Sequence, residues 1–142
     1  MSDVNQRIAC KAVIANKDGR VLILREATSY GEGTQTGRWH MPGGRLNAGE
    51  PFLEGLSREI NEEAGLRVEV GEPLYIGEWF PIIKDVQNQI VAIFFSCKAI
   101  TDEVRLSEEH DKFEWVDAES CKQFDIMDPE DKVLEKFFSL PT

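Results

Sequence analysis

Toward the end of the stretch from Pro51 to Gly65, three acids, Glu59, Glu62 and Glu63, stand at a spacing that suits a hard cation. Wound as an α-helix at about 100° per residue, they fall within an arc of about 100°, because residues three and four apart are neighbours on a helix surface. Phe52, Leu53, Leu56, Ile60 and Ala64 share an adjoining arc of roughly 120°, an apolar stripe for a core. Acids on consecutive turns repel one another by about 0.2–0.5 kcal/mol per pair, and Arg58 alone stands among them. A divalent cation, Mg²⁺ or Mn²⁺, relieves that repulsion, since it prefers carboxylate oxygens and keeps positions open for water and phosphate. The alternative is a solvated acidic face, and spacing by itself does not choose between the two.

The elements that must hold this helix follow from the rest of the chain. Ile8–Ala15 and Val21–Leu24 flank Asp18-Gly19 and predict a hairpin. Residues 28–37 are rich in Gly, Thr and Ser and predict a loop longer than a hairpin needs, suited to a lid over a site. Trp39–Gly44 is a short extended piece. Pro51 opens the helix and Gly65 closes it, the usual placement of both residues. Strands are predicted over 66–70, 74–80, 90–100 and 112–116, and Asp128-Pro129 caps a last helix with an apolar stripe of Val133, Leu134, Phe137 and Phe138. That order predicts an α/β (α+β) fold, a mixed sheet sandwiched between helices.

The chain has 142 residues, 42% hydrophobic and 30% charged, which fits one globular domain over 1–142. No apolar run approaches membrane-spanning length, and the first seven residues lack the apolar core of a secretory signal, so a cytoplasmic location is the expectation. The cysteines, Cys10, Cys97 and Cys121, are odd in number; Cys10 and Cys97 sit in strand-like apolar segments and read as buried thiols. A formal net charge of -10 disfavours nucleic acid and anionic membrane as partners. It also repels a free nucleotide, unless a bound cation inverts the field locally.

From Gly44 the chain runs Gly44-x5-Glu50-x7-Arg58-Glu59-Ile60-x-Glu62-Glu63-x-Gly65-Leu66. This resembles the Nudix (MutT-like) box at every specified position, and a chance match at a given start is on the order of one in a billion at average residue frequencies. Trp39-His40-Met41-Pro42-Gly43-Gly44 resembles the family's approach to the box, and the order of strands and helices is also similar. The resemblance implies a Nudix-type α/β/α sandwich and a hydrolase that cuts a diphosphate linkage in a nucleotide, with Mg²⁺ or Mn²⁺ as cofactor.

Residue by residue, the resemblance implies that Glu59, Glu62 and Glu63 hold the metal, joined by a backbone carbonyl near Gly44. Its catalytic set here is Glu62, Glu63, Glu109 and Arg58, with Arg58 acting through an ion pair to Glu50 that fixes loop to helix. Gly43 and Gly44 let backbone approach metal and phosphate closely. Ser107-Glu108-Glu109-His110, ahead of Phe113-Glu114-Trp115-Val116, is similar to the family's Glu-His…Trp-Val stretch. It offers Glu109, then Glu108, as general base or extra ligand. His40 and His110 read as hydrogen-bonded structural histidines. Trp39, Tyr30, Phe80 and Trp79 are aromatic candidates for stacking a base, with packing as the plainer role. The favoured substrate is a (d)NTP or related nucleotide; alternatives are ADP-ribose, nucleotide sugars and dinucleoside polyphosphates, or a non-catalytic nucleotide sensor. A homodimer is expected from resemblance alone.

Overall fold

The computed structural model describes residues 3–28 and 36–141. Among them, eight strands form one mixed sheet: β1 (Val4–Ala15), β2 (Val21–Glu26), β3 (Trp39–His40), β4 (Gly43–Arg45), β5 (Val68–Trp79), β6 (Ile82–Ile83), β7 (Val86–Ala99) and β8 (His110–Val116). Helices α1 (Phe52–Ala64) and α2 (Glu130–Ser139) complete the order. The spine is a parallel pair, β1 beside β7, in register from Val4↔Gln87 to Ala15↔Lys98.

Period-2 alternation sends the strands' apolar residues to two opposite cores. Cys10, Ala12 and Ile14 of β1, with Leu22 and Leu24 of β2, pack under Leu56, Ile60 and Ala64 of α1. Ala9 and Val13, with Val21 and Ile23, pack under Val133 and Leu134 of α2. Phe94 and Phe95, adjacent on β7, enter one core each. The result is the predicted sandwich, helix–sheet–helix. Leu56 and Ile60 are fully buried, worth roughly 1.5–3 kcal/mol each.

The first hairpin is present, with Asn16 Oδ1 accepting from the N–H groups of Asp18 and Arg20 at 3.0 Å. Several predicted bounds change. Strand β1 begins at Val4, because 4–7 pair with β7 although their side chains are exposed and lack an apolar signal. The two strands expected at 66–70 and 74–80 are one, β5, with register shifts around Pro73; an edge strand tolerates a proline at a bulge. Strand β6, the first residues of β7 and the turn between them lie outside the predicted elements: turn residues Lys84 and Asp85 have φ of 49° and 63°, a geometry usually signalled by Asn-Gly. Phe52 and Leu53 open α1 but are about half exposed, at 49% and 47%, and Phe52 stacks on Phe95 with centroids 5.8 Å apart. Asp128 does not cap α2; its carboxylate pairs with Lys132.

One ion pair lies inside the α2 core. Lys11 of β1 is 3% exposed and Glu130 of α2 fully buried, with Nζ and Oε2 at 2.5 Å, while Glu130 Oε1 accepts the Met41 N–H at 2.5 Å. Removing one member leaves the other charge buried and unanswered, which costs far more than the pair itself contributes. Glu130→Ala is therefore expected to lower stability by about 3–5 kcal/mol in urea melts, and Lys11→Met/Glu130→Leu to recover much of that loss. Equal stability of Glu130→Ala and the parent protein would contradict the arrangement.

Candidate functional site

The site sits where the sheet splits. Strand β1 meets β2 at Ala15↔Val21, and beyond that point the two diverge. Ala9–Lys11 pair with β4, whereas Leu24 and Arg25 pair with β3. The segment 39–45 therefore crosses from one side of the opening to the other, with Met41-Pro42 at the crossing. Gly43 has a φ of 131°, and a Cβ there would fall 2.3 Å from the Cys10 carbonyl oxygen. A Cβ on Gly44 would stand 3.0–3.2 Å from the Glu59 carboxylate. Both positions bring bare backbone against the acids of α1.

A cavity of about 280 Å³ fills the opening, lined by Glu59 and Glu63 of α1, Gly43 to Arg45, Glu109, His40 and Lys11, and walled by Trp79, Pro81, Ile83 and Ile90. Glu63 projects from the buried face of α1 and is 6% exposed, with Oε1 accepting the Gly43 N–H at 2.8 Å. Burial raises the Glu63 carboxyl to about 8, against the opposing effects of that hydrogen bond and of Lys11. Burial also raises Glu59, though Arg58 pulls the other way. Glu62 stands outside this lining, 56% exposed at its side chain, and faces Arg58 Nη1 at 3.4 Å.

Arg58 joins helix to loop. Its Nε and Nη2 donate to Glu50 Oε2 and Oε1 at 2.8 and 3.0 Å, and Nη1 reaches Glu59 Oε1 at 3.0 Å. The paired guanidinium, helped by the Asn47 N–H, lowers the Glu50 carboxyl to about 2. Two-pronged pairing of this kind fixes orientation as well as charge.

The turn just before β8 supplies the remaining acid, Glu109. The Ala27 N–H donates to the Glu109 carbonyl at 2.8 Å, and Arg25 grips Asp111 through two bonds of 2.7 Å, so residues 109–111 are held from both sides. Carboxylate oxygens of Glu63 and Glu109 and one imidazole nitrogen of His110 lie within 4.8 Å of one another. Glu108 is exposed and outside the cavity lining. His40 and His110 are buried, joined Nε2 to Nε2 at 2.7 Å, and His40 Nδ1 faces Lys11 Nζ at 2.9 Å. Burial, then the Lys11 charge, lowers both histidines, His40 well below its ordinary value and His110 to about 4. Glu59, Glu63 and Glu109 present the oxygen donors that a hard divalent cation takes, beside backbone kept free of Cβ atoms.

Other sequence candidates fall elsewhere. Trp39 is a core residue, 8% exposed and edge-on to Phe124 at 4.9 Å, not a stacking platform. Phe80 is 55% exposed and does not line the cavity; its neighbour Trp79 does. Tyr30 and most of the expected lid, residues 29–35, lie outside the described residues. Sequence reasoning missed Lys11, whose place inside an apolar run was the available signal, and Arg45. A larger cavity, about 640 Å³, lies beside α2 around Cys121, Phe124 and Phe138, and lacks Glu59, Glu63 and Glu109. No helix among the described residues is long and apolar enough to cross a membrane.

The NUDIX domain model matches residues 5–137. A MutT-like protein of Streptomyces ambofaciens is 33% identical over 109 residues, 77% of this chain and 62% of that protein, so the chain spans less than two thirds of this relative's length. Nucleoside triphosphatase NudI of Klebsiella pneumoniae (strain 342) is 27% identical over 133 residues, 87% of this chain and 90% of its own. The crystal structure of a MutT protein from Methanosarcina mazei Go1 superposes with a TM-score of 0.81 at 27% identity, over 96% of each chain. The chain belongs to the Nudix (MutT-like) hydrolase family, and its mixed sheet between two helices is the Nudix fold.

The raised Glu63 carboxyl has a consequence for the metal-free protein. Below its ordinary 4.5, folded and unfolded chains both hold the proton; from there to about 8 the folded chain alone holds it. Unfolding then releases a proton, so this group's contribution to stability falls as pH rises through the window. Denaturant melts in chelator between about pH 5 and pH 8 are expected to show that decline, and Glu63→Gln to flatten it. Parallel profiles for the two proteins would contradict the burial of an ionisable group here.

Proposed function

We propose that the chain is a metal-dependent pyrophosphohydrolase that cuts the diphosphate linkage of a (d)NTP or related nucleotide at the 280 Å³ cavity. The observation that carries this reading is that Glu59 and Glu63 of α1 and Glu109, the residue before β8, line one cavity together with the apolar Trp79, Pro81 and Ile83. Acids alone would repel a phosphate chain, and Arg45 lines this cavity as well as an adjoining hollow of about 270 Å³ that also contains Arg7. Those two cations mark a path for phosphate groups across an otherwise negative molecule.

Glu59, Glu63 and Glu109 would supply the oxygen ligands of a Mg²⁺ or Mn²⁺ ion in this reading, with Glu62 exposed next to them on α1. When bound, the cation neutralises phosphate charge and lowers the pKa of a coordinated water. Arg58 keeps Glu59 in place and ties α1 to Glu50. Glu109 accepts the proton of the attacking water, and Arg45 orients the leaving phosphates. Trp79 offers its ring to the base, with Pro81 and Ile83 excluding water beside it. The nucleoside triphosphatase whose length this chain nearly matches supports a triphosphate as first choice.

Phosphate and pyrophosphate release from a panel of (d)NTPs, ADP-ribose, nucleotide sugars and dinucleoside polyphosphates, with Mg²⁺ or Mn²⁺ and then with chelator, tests the reading. Turnover that is highest on a (d)NTP and abolished by chelation is expected; turnover of none of them would refute it. Glu63→Gln is expected to lower kcat on the order of 10²-fold or more while leaving the far-ultraviolet dichroism unchanged. Trp79→Ala is expected to raise KM by about tenfold with a smaller change in kcat.

A further inference from the structure

Among the buried side-chain nitrogens and oxygens described, His110 Nδ1 has no hydrogen-bond partner. The residue is 5% exposed, and one of its imidazole nitrogens lies within 4.8 Å of carboxylate oxygens of Glu63 and Glu109, the two acids that line the cavity beside it. A buried polar atom without a partner is costly, of the order of 1–3 kcal/mol, so its retention points to a partner that arrives. A metal ion would use the nitrogen's lone pair; a substrate oxygen would use a proton on it. The hydrogen bonds behind His110 decide which is present.

Follow the donors inward from α2. Glu130 accepts on both oxygens, from Met41 N–H and from Lys11, as a carboxylate does. An ammonium has three donors and no acceptor, so Lys11 Nζ donates to His40 Nδ1, which supplies its lone pair. The single proton of neutral His40 is then on Nε2 and points at His110 Nε2, 2.7 Å away. His110 Nε2 accepts it, which leaves the proton of neutral His110 on Nδ1. We infer that Glu130, Lys11 and His40 form a buried relay that holds His110 as the Nδ1–H tautomer, and that this N–H donates to a phosphoryl oxygen of the bound substrate instead of ligating the metal.

The assignment rests on the cavity being the hydrolytic site for its second half only; the tautomer follows from donor inventory. Lys11 and His40 are positioning residues here, because they act through His110 and need not touch the substrate. The relay also bridges the split sheet, running from α2 through β1 to β3 and ending on β8. A neutral N–H is well matched to a phosphoryl oxygen in this setting, since it adds no charge to a cluster already neutralised by a cation and is fixed before substrate arrives.

The chain has two histidines, so long-range ¹H–¹⁵N spectra of protein labelled at histidine nitrogen read both rings directly. In the ligand-free protein the expected pattern is pyrrole-type Nδ1 and pyridine-type Nε2 for His110, and the reverse for His40. Pyridine-type Nδ1 at His110 would overturn the relay. On adding Mg²⁺ with an α,β-methylene nucleoside triphosphate, the His110 Nδ1 proton is expected to persist and shift. Its loss on Mg²⁺ alone means ligation, and a shift with Mg²⁺ that the nucleotide does not change means donation to a carboxylate; either result overturns the assignment. Lys11→Met is expected to mix the tautomers of both rings, and an unchanged pattern in that variant would count against Lys11. His110→Asn, whose amide can donate from the Nδ1 position, is expected to keep kcat within about tenfold, against a loss of about 10²-fold for His110→Ala. A panel with no turnover would remove the functional reading while leaving the tautomer pattern in place, so the two failures are distinguishable.

Discussion

Two carboxylates, Glu63 and Glu130, are buried on different helices, and the charge of Lys11 acts on both. A carboxylate out of water loses several kcal/mol of hydration, and the protein must return it through partners. Glu130 receives Lys11 on one oxygen and a backbone N–H on the other, and these oppose the burial that raises its carboxyl. Glu63 receives the Gly43 N–H and no cation at bonding distance among the described partners, and burial accordingly favours its neutral form. The difference between these two acids organises the molecule. One is closed and anchors α2; the other is left open to something that brings positive charge.

That opening has a topological cause. A sheet in which β1 and β2 stayed paired along their length would fill the space with backbone. Here β1 and β2 part beyond Ala15↔Val21, and the segment 39–45 crosses between them, placing His40 on one bank and Gly43 on the other. Side chains must then hold the banks together, and the Lys11–His40–His110 series does so across the split. Arg58 with Glu50 on the loop side and Arg25 with Asp111 on the β8 side fix the outer walls. The polar bonds that give the site its shape are thus also those that keep a divided sheet rigid.

Much of this was legible in the amino acids. The acid spacing, the Pro and Gly at the ends of α1, and the stripe of α2 all rest on local periodicity, which survives tertiary context. Glu63 was legible in a stronger form than the arc of acids suggests: on the helical wheel it lies about 20° from Phe52, inside the apolar stripe. An acid at a core position is the mark of a functional group, and the structure buries it while exposing Phe52. What sequence could not supply was pairing over distance. Pro73 reads as a break because nothing local says that β5 is an edge strand. Lys84 and Asp85 form a tight turn without the glycine that would announce it. Trp39 and Trp79 are indistinguishable as aromatic residues beside strand-like runs; only packing puts one against Phe124 and the other in the cavity wall.

The overall charge then takes on a specific meaning. At -10 the molecule repels phosphates from every direction except where cations gather. Arg45 lines the cavity and Arg7 the hollow that adjoins it, while Lys11 is spent internally on Glu130 and His40. A polyphosphate near this surface is therefore guided by two arginines to a mouth whose floor is acidic. It can settle there only if a divalent ion accompanies it, because Glu59, Glu63 and Glu109 would otherwise face its oxygens directly. In the proposed reading, negative net charge and an acid-lined floor together make the metal a condition of substrate entry as well as of the chemistry, and they select against anions that arrive without one.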